Sequence, residues 1–148
     1  MVKVYRVTFL VRLINRLMKM IIGWGVAPKH IYMLTVPGRK SGEPHSNPVA
    51  IVQQSGQRWL VAPYGEVNWV KNARAAGEVT LSRGRKSERF QIEETDAETR
   101  APILRTYVAL EPITRRYFDA RADSPMSAFV AEAERHPVFR LIPIPDES

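Results

Sequence analysis

The chain has 148 residues, 45% hydrophobic and 25% charged, which is the size and make-up of one soluble globular domain with a single substantial core. A formal charge of +7 favours an anionic partner, whether a phosphorylated cofactor, nucleic acid or an acidic membrane surface. The absence of cysteine excludes disulfides, thiolate nucleophiles and cysteine-based metal sites and suits a reducing cytoplasm; separately, no metal is expected.

Residues 2–22 open the chain as an amphipathic segment. Leu10, Leu13, Ile14, Leu17, Met18 and Ile21 keep helical spacing, and Gly23 and Gly25 stop the helix. Arg6, Arg12, Arg16 and Lys19 interrupt every apolar run, so neither a signal peptide nor a spanning helix of roughly 20 apolar residues is expected. Two uses stay open for residues 1–22: packing on their own domain, the commoner fate of such a helix, or resting on the inner face of an anionic membrane.

Short apolar runs separated by turn signals follow, predicting strands over residues 31–37, 46–54, 57–63, 78–83 and 86–93. Gln54-Ser55-Gly56-Gln57 and Arg83-Gly84-Arg85 read as hairpin turns. Residues 67–76 suit a short helix closing at Gly77. Asp96 is placed to cap a helix over residues 97–110, Pro112 to start another turn, and residues 126–135 repeat the helical pattern. Residues 138–144 read as a last strand able to close the sheet, giving a mainly β, α+β domain built as a barrel or sandwich. The single domain thus divides into an N-terminal helix (1–25), a barrel core (31–93), helices (96–136) and a closing strand (137–144).

The most informative segment is Gly38-Arg39-Lys40-Ser41-Gly42-Glu43-Pro44-His45-Ser46-Asn47-Pro48-Val49, which puts three potential cations around a glycine-bounded turn between two strands. A guanidinium can grip phosphate or carboxylate through two parallel hydrogen bonds, and an ammonium adds a compact charge. The plain alternative is a solvated basic hairpin tip. A second segment, Val61 to Asn72, leaves a strand through Pro63 and Gly65 and enters a helix. If the strands pair through Ser55-Gly56, both loops lie at one end of the barrel. There Trp69 and Tyr64 can flank a flat ring, Asn68 and Asn72 can bond its polar edge, and Lys71 can extend the positive field. Equally, Trp69 can be a core anchor.

The order and spacing of Leu34-Thr35-Val36-Pro37-Gly38-Arg39-Lys40-Ser41-Gly42, Asn47-Pro48-Val49 and Asn68-Trp69-Val70-Lys71-Asn72-Ala73-Arg74-Ala75 resemble the deazaflavin-dependent nitroreductase family of actinobacterial oxidoreductases. The resemblance covers residues 24–93. It implies a split β-barrel like that of flavin-mononucleotide-binding oxidoreductases, binding coenzyme F420, an 8-hydroxy-5-deazaflavin with a phosphodiester and a glutamate tail. It assigns Arg39, Lys40 and Ser41 to the phosphate and tail, with His45 where the family often has arginine. Ser46, Asn47, Pro48, Val61, Ala62, Pro63 and Tyr64 would line the ring, and Asn68, Trp69, Val70, Lys71 and Asn72 would complete the wall. The implied reaction is hydride transfer to an electron-poor acceptor: an enone, quinone or nitroaromatic. Tyr117, Tyr64 and Tyr107 are candidate proton donors, Tyr117 matching a tyrosine-rich stretch of some relatives, with solvent as their rival.

Two other readings stay open. Flavin mononucleotide, or haem, could fill the same barrel, with or without catalysis. Arg83, Arg85, Lys86 and Arg89 could form a nucleic-acid-binding edge, although only Phe90 lies near for stacking, so no nucleic-acid partner is expected. Barrels of this type also often pair as homodimers.

Overall fold

The computed structural model describes Leu13, Arg16, Leu17 and residues 28–145. The N-terminal helix therefore lies outside the described residues except for those three, which are helical. Among the described residues no helix is long and apolar enough to cross a membrane.

Six antiparallel strands close into a barrel: β1 (Ile31–Pro37), β2 (Pro44–Gln54), β3 (Gln57–Val61), β4 (Glu78–Arg83), β5 (Lys86–Glu94) and β6 (Val138–Pro143), in the order β1-β2-β3-β6-β5-β4. The last strand does close the sheet. β6 enters between β3 and β5, setting Phe139 opposite Leu60 and Leu141 opposite Ile92, while Leu34 against Leu81 seals β1 to β4. Ser55 and Gly56 both have positive φ (57° and 73°), the backbone that a two-residue hairpin between twisted strands requires.

Two strand ends differ from the sequence reading by two residues, and β5 and β6 each end one residue away from it. β2 begins at Pro44 because Pro44 and His45 still pair with Pro37 and Val36. β3 stops at Val61 rather than residue 63, since the Ala62 N–H turns to the carbonyl of Pro137 (2.8 Å) and Pro63 has no N–H to offer.

Strand alternation divides the core. Leu34, Val36, Val49, Ile51, Leu60 and Phe90 fill the barrel, which helix α1 (Asn68–Ala76) caps with Trp69, Val70 and Ala73. Ala50, Val52, Trp59 and Val61 point outward and are covered by α2 (Ala97–Leu110) and α3 (Met126–Glu132), chiefly through Leu104, Tyr107 and Phe129. Sealed rings such as Phe90 and Phe129 each carry about 3–5 kcal/mol against truncation to alanine. Two tight helical turns follow α2 and α3, at Pro112–Tyr117 and Ala133–Arg135, so the helix expected over residues 126–135 tightens in its last turn.

The caps follow the sequence. Asp96 Oδ1 accepts the Thr99 N–H (2.8 Å), and Gly77, at φ 75°, ends α1 by returning its N–H to Ala73.

Candidate functional site

The turn after β1 is held on two sides. Internally, the Gly38 N–H donates to Glu43 O (2.7 Å) and the Gly42 N–H to Gly38 O (2.8 Å). Externally, Asn72 of α1, only 5% exposed, offers Oδ1 to both the backbone N–H (3.1 Å) and Nη1 (2.7 Å) of Arg39. One buried amide thus fixes the turn to the helix and orients the guanidinium, whose other donors stay available.

Between turn and helix lies a cleft of about 440 Å³ lined by Gly38, Arg39, Lys40, Ser41, His45, Asn47, Asn68, Trp69 and Asn72. Arg39, Lys40, Ser41 and His45 are exposed there, and no carboxylate is among the described lining residues. A Cβ built on Gly38 would stand 2.9 Å from His45 Nε2 and 3.0 Å from Ser41 Oγ, so glycine lets these groups close in. Trp69 is a core anchor that also faces the cleft. It is 9% exposed and packs on Phe139 (6.3 Å between centroids), and it also forms one wall of the cleft.

The other predicted site residues lie elsewhere. Alternation along β2 turns Ser46 and Pro48 to the face opposite His45 and Asn47, and Ser46 Oγ meets Thr35 Oγ1 there (2.9 Å). Pro63 and Tyr64 follow β3, whose antiparallel pairing with β2 returns the chain to this end of the barrel. The Tyr64 ring packs edge-on against Tyr117 (4.8 Å, 80°), bringing together two of the candidate proton donors, and the Arg116 guanidinium lies 5.7 Å from the Tyr117 ring. Val61, Ala62 and Val70 are sealed in the core and contribute packing rather than side-chain contacts to an open site. Lys71 is exposed and outside the cleft lining. Tyr107 is buried, and that burial holds its phenol in the protonated state, away from any open site.

The basic hairpin is partly committed to the fold. Arg83 donates to the carbonyls of Pro28 and Ile31, and Arg89 pairs with Glu78 (3.0 Å). Sequence reasoning missed the network behind α1: Arg74 meets Glu94 through two hydrogen bonds (2.9 and 2.6 Å) and Glu66 through a third (2.7 Å), while Arg100 reaches Glu94 at 3.0 Å. Hydrogen bonding to Arg74 holds the Glu94 carboxyl below its usual range and raises the Arg74 guanidinium in turn. Only the contacts among separate elements reveal this network, since nothing in the spacing of those residues marks it.

Residues 11–133 match the model of the F420H(2)-dependent quinone reductase family. The chain belongs to this family. A comparison with curated proteins gives no significant match. Among solved structures, a domain-swapped dimer shares 21% identity at TM-score 0.56, covering 88% of this chain and 97% of that one. An F420-H2-dependent reductase, FDR-A, shares 24% identity at TM-score 0.52, covering 76% and 94%. A Listeria innocua protein, provisionally assigned as a pyridoxamine 5′-phosphate oxidase, shares 15% at TM-score 0.50, covering 77% and 83%. These likenesses show the split-barrel fold.

Membership makes the protein an F420-dependent oxidoreductase, whose cofactor is the deazaflavin coenzyme F420. The donor set of the cleft fits that coenzyme's chemistry. Exposed cations in a cleft whose described lining includes no carboxylate suit a phosphodiester and a string of glutamates.

Proposed function

We propose that the protein reduces a quinone at the expense of reduced coenzyme F420, holding the coenzyme's anionic groups in the cleft between the Gly38–Gly42 turn and α1. The observation that carries this reading is the carboxylate-free cleft in which buried Asn72 orients Arg39 beside Lys40, Ser41 and His45. Arg39 is suited to bidentate contact with the phosphodiester, and Lys40 and His45 to the tail carboxylates. Asn47, Asn68 and Trp69 supply polar groups and a flat wall beside them.

When bound, the reduced deazaflavin supplies the hydride. The chain's own task is to fix the reacting partners, exclude water and deliver a proton to the acceptor oxygen. Tyr64 and Tyr117 are assigned to the acceptor side, where one phenol donates that proton and the paired ring walls the acceptor. Ser46, Pro48 and Pro63, at the same end of the barrel, complete this side.

Two further elements belong to the proposal. Leu13 and Leu17 lie one helical turn apart and are 41% and 51% exposed, which supports a membrane-resting segment that meets lipid-soluble quinones. The domain-swapped dimer among the neighbours supports pairing of this chain.

Anaerobic mixing with reduced F420 and a naphthoquinone tests the reading. Coenzyme oxidation that needs both protein and quinone is expected. Binding of F420 without turnover on any quinone would refute the assigned acceptor.

A further inference from the structure

We propose that Glu132 and His136 form a one-proton positioning pair that sets Tyr64 and Tyr117 against each other on the acceptor side. The pair lies outside the coenzyme cleft, and both side chains are 3% exposed. His136 Nδ1 stands 2.9 Å from the Pro63 carbonyl, which can only accept, so Nδ1 carries the hydrogen. Nε2 then presents a lone pair to Glu132 Oε1, 3.3 Å away, and among the described residues neither atom has another hydrogen-bond partner. An ionised Glu132 would set lone pair against lone pair, so a single proton belongs between them. Burial pushes His136 down to about 4 and Glu132 up, which favours the neutral form with Glu132 as donor. The charged groups facing the pair are Arg135, which reaches Glu132 Oε2 (3.5 Å) and Asp119 Oδ2 (2.8 Å), and Arg100, which is bound to Ala133 O (2.9 Å).

From this pair, contacts run to the residues that flank the two tyrosines in the chain. The Nδ1 edge of His136 holds Pro63, the residue before Tyr64, and Gly65 lies so close that a Cβ there would be 3.3 Å from Arg135 O. The face of His136 stacks on Phe118, the residue after Tyr117 (3.9 Å, 18°). Glu132 Oε2 accepts the next two backbone N–H groups, Asp119 (2.9 Å) and Ala120 (3.0 Å). The two segments that carry the Tyr64–Tyr117 contact are therefore registered on one buried hydrogen-bonded unit.

For catalysis the inference rests on the quinone reductase reading, whereas its geometric content stands alone. Glu132→Gln keeps an N–H for Nε2 and an oxygen for the two amides, so its near-UV circular dichroism and quinone KM should match the wild type. His136→Phe keeps the stack but removes both nitrogens. It should change the tyrosine dichroism and raise the quinone KM about tenfold while leaving F420 affinity unchanged. Equal dichroism and KM in wild type and His136→Phe, or damage from Glu132→Gln as large as from Glu132→Leu, would overturn the proposal. Nitrogen-15 shifts of wild-type His136 give a test that needs no variant to fold. The neutral Nδ1–H tautomer between pH 8 and 5 is expected, and an imidazolium or an Nε2–H tautomer would contradict it. If the wild type reduces no quinone, the function falls while the dichroism and nitrogen shifts still decide the pair.

Discussion

Asn72 accepts two hydrogen bonds from one residue, the backbone N–H and the guanidinium of Arg39, on a single buried oxygen. The helix that caps the barrel thereby also sets the guanidinium of the cleft. Because Asn72 is neutral, it orients Arg39 without cancelling its charge.

Replacing Asn72 separates orientation from charge. Asn72→Ala removes the acceptor of a charge-assisted bond worth about 1.5–3 kcal/mol, so F420 affinity should fall roughly ten- to a hundredfold. Asn72→Asp keeps the geometry but places a carboxylate beside the coenzyme's anions, and it should bind less tightly than wild type despite a firmer grip on Arg39. Fluorescence titration at matched ionic strength checks both.

Gly38→Ala puts a methyl 2.9 Å from His45 Nε2 and 3.0 Å from Ser41 Oγ. Both neighbours are ends of exposed side chains, so they can swing away. Thermal stability should change by less than about 1 kcal/mol, while F420 binding weakens severalfold as the cation set opens. Comparing melting temperature with the dissociation constant separates the two effects.

Much of the barrel was legible because its signals are local. Ser55-Gly56, Gly77 and Asp96 mark their turns and caps by backbone or hydrogen-bond needs that few residues meet. The gathering of Arg39, Lys40, Ser41 and His45 in one cleft was legible for the same reason, since a single short turn carries them. What could not be read is relational. The period of two that sends Ser46 and Pro48 to the face opposite His45 takes its meaning from which face the helices cover. Likewise, Glu132 ends an ordinary-looking helix and His136 follows the tight turn after it, and their importance comes from Pro63 and Phe118, far away in the chain.

Stability should depend on pH through His136. Its value falls from 6.5 to about 4 on folding, so between those values the unfolded chain binds more protons, and stability is lost as pH drops from 6.5 towards 4. The full shift amounts to roughly 3 kcal/mol. Glu132, shifted upward from 4.5, acts in the opposite sense, its stabilisation holding at low pH and fading as pH rises through the raised value. Glu132→Gln should therefore expose the His136 slope alone, and His136→Phe should abolish it, as read by denaturant unfolding at stepped pH.

Glu94 should mark a lower window. Hydrogen bonding to Arg74 depresses its carboxyl below 4.5, so its contribution is present above that value and disappears as pH falls further. Both partners are about a third exposed, which limits the pair to about 1 kcal/mol. Glu94→Gln should lower stability by that amount at pH 7 and by progressively less in acid. Urea unfolding at pH 7 and pH 3 provides the comparison.

In the proposed complex the turn–helix cleft holds the coenzyme by its anions. Fluorescence titration of the full chain with oxidised F420, beside flavin mononucleotide and repeated on the Arg39→Ala/Lys40→Ala double variant, tests it most directly. Tight F420 binding, weaker flavin binding, and loss of at least about a hundredfold in the double variant are predicted. Unchanged F420 affinity in a folded double variant would contradict the account and move the coenzyme to another part of the barrel.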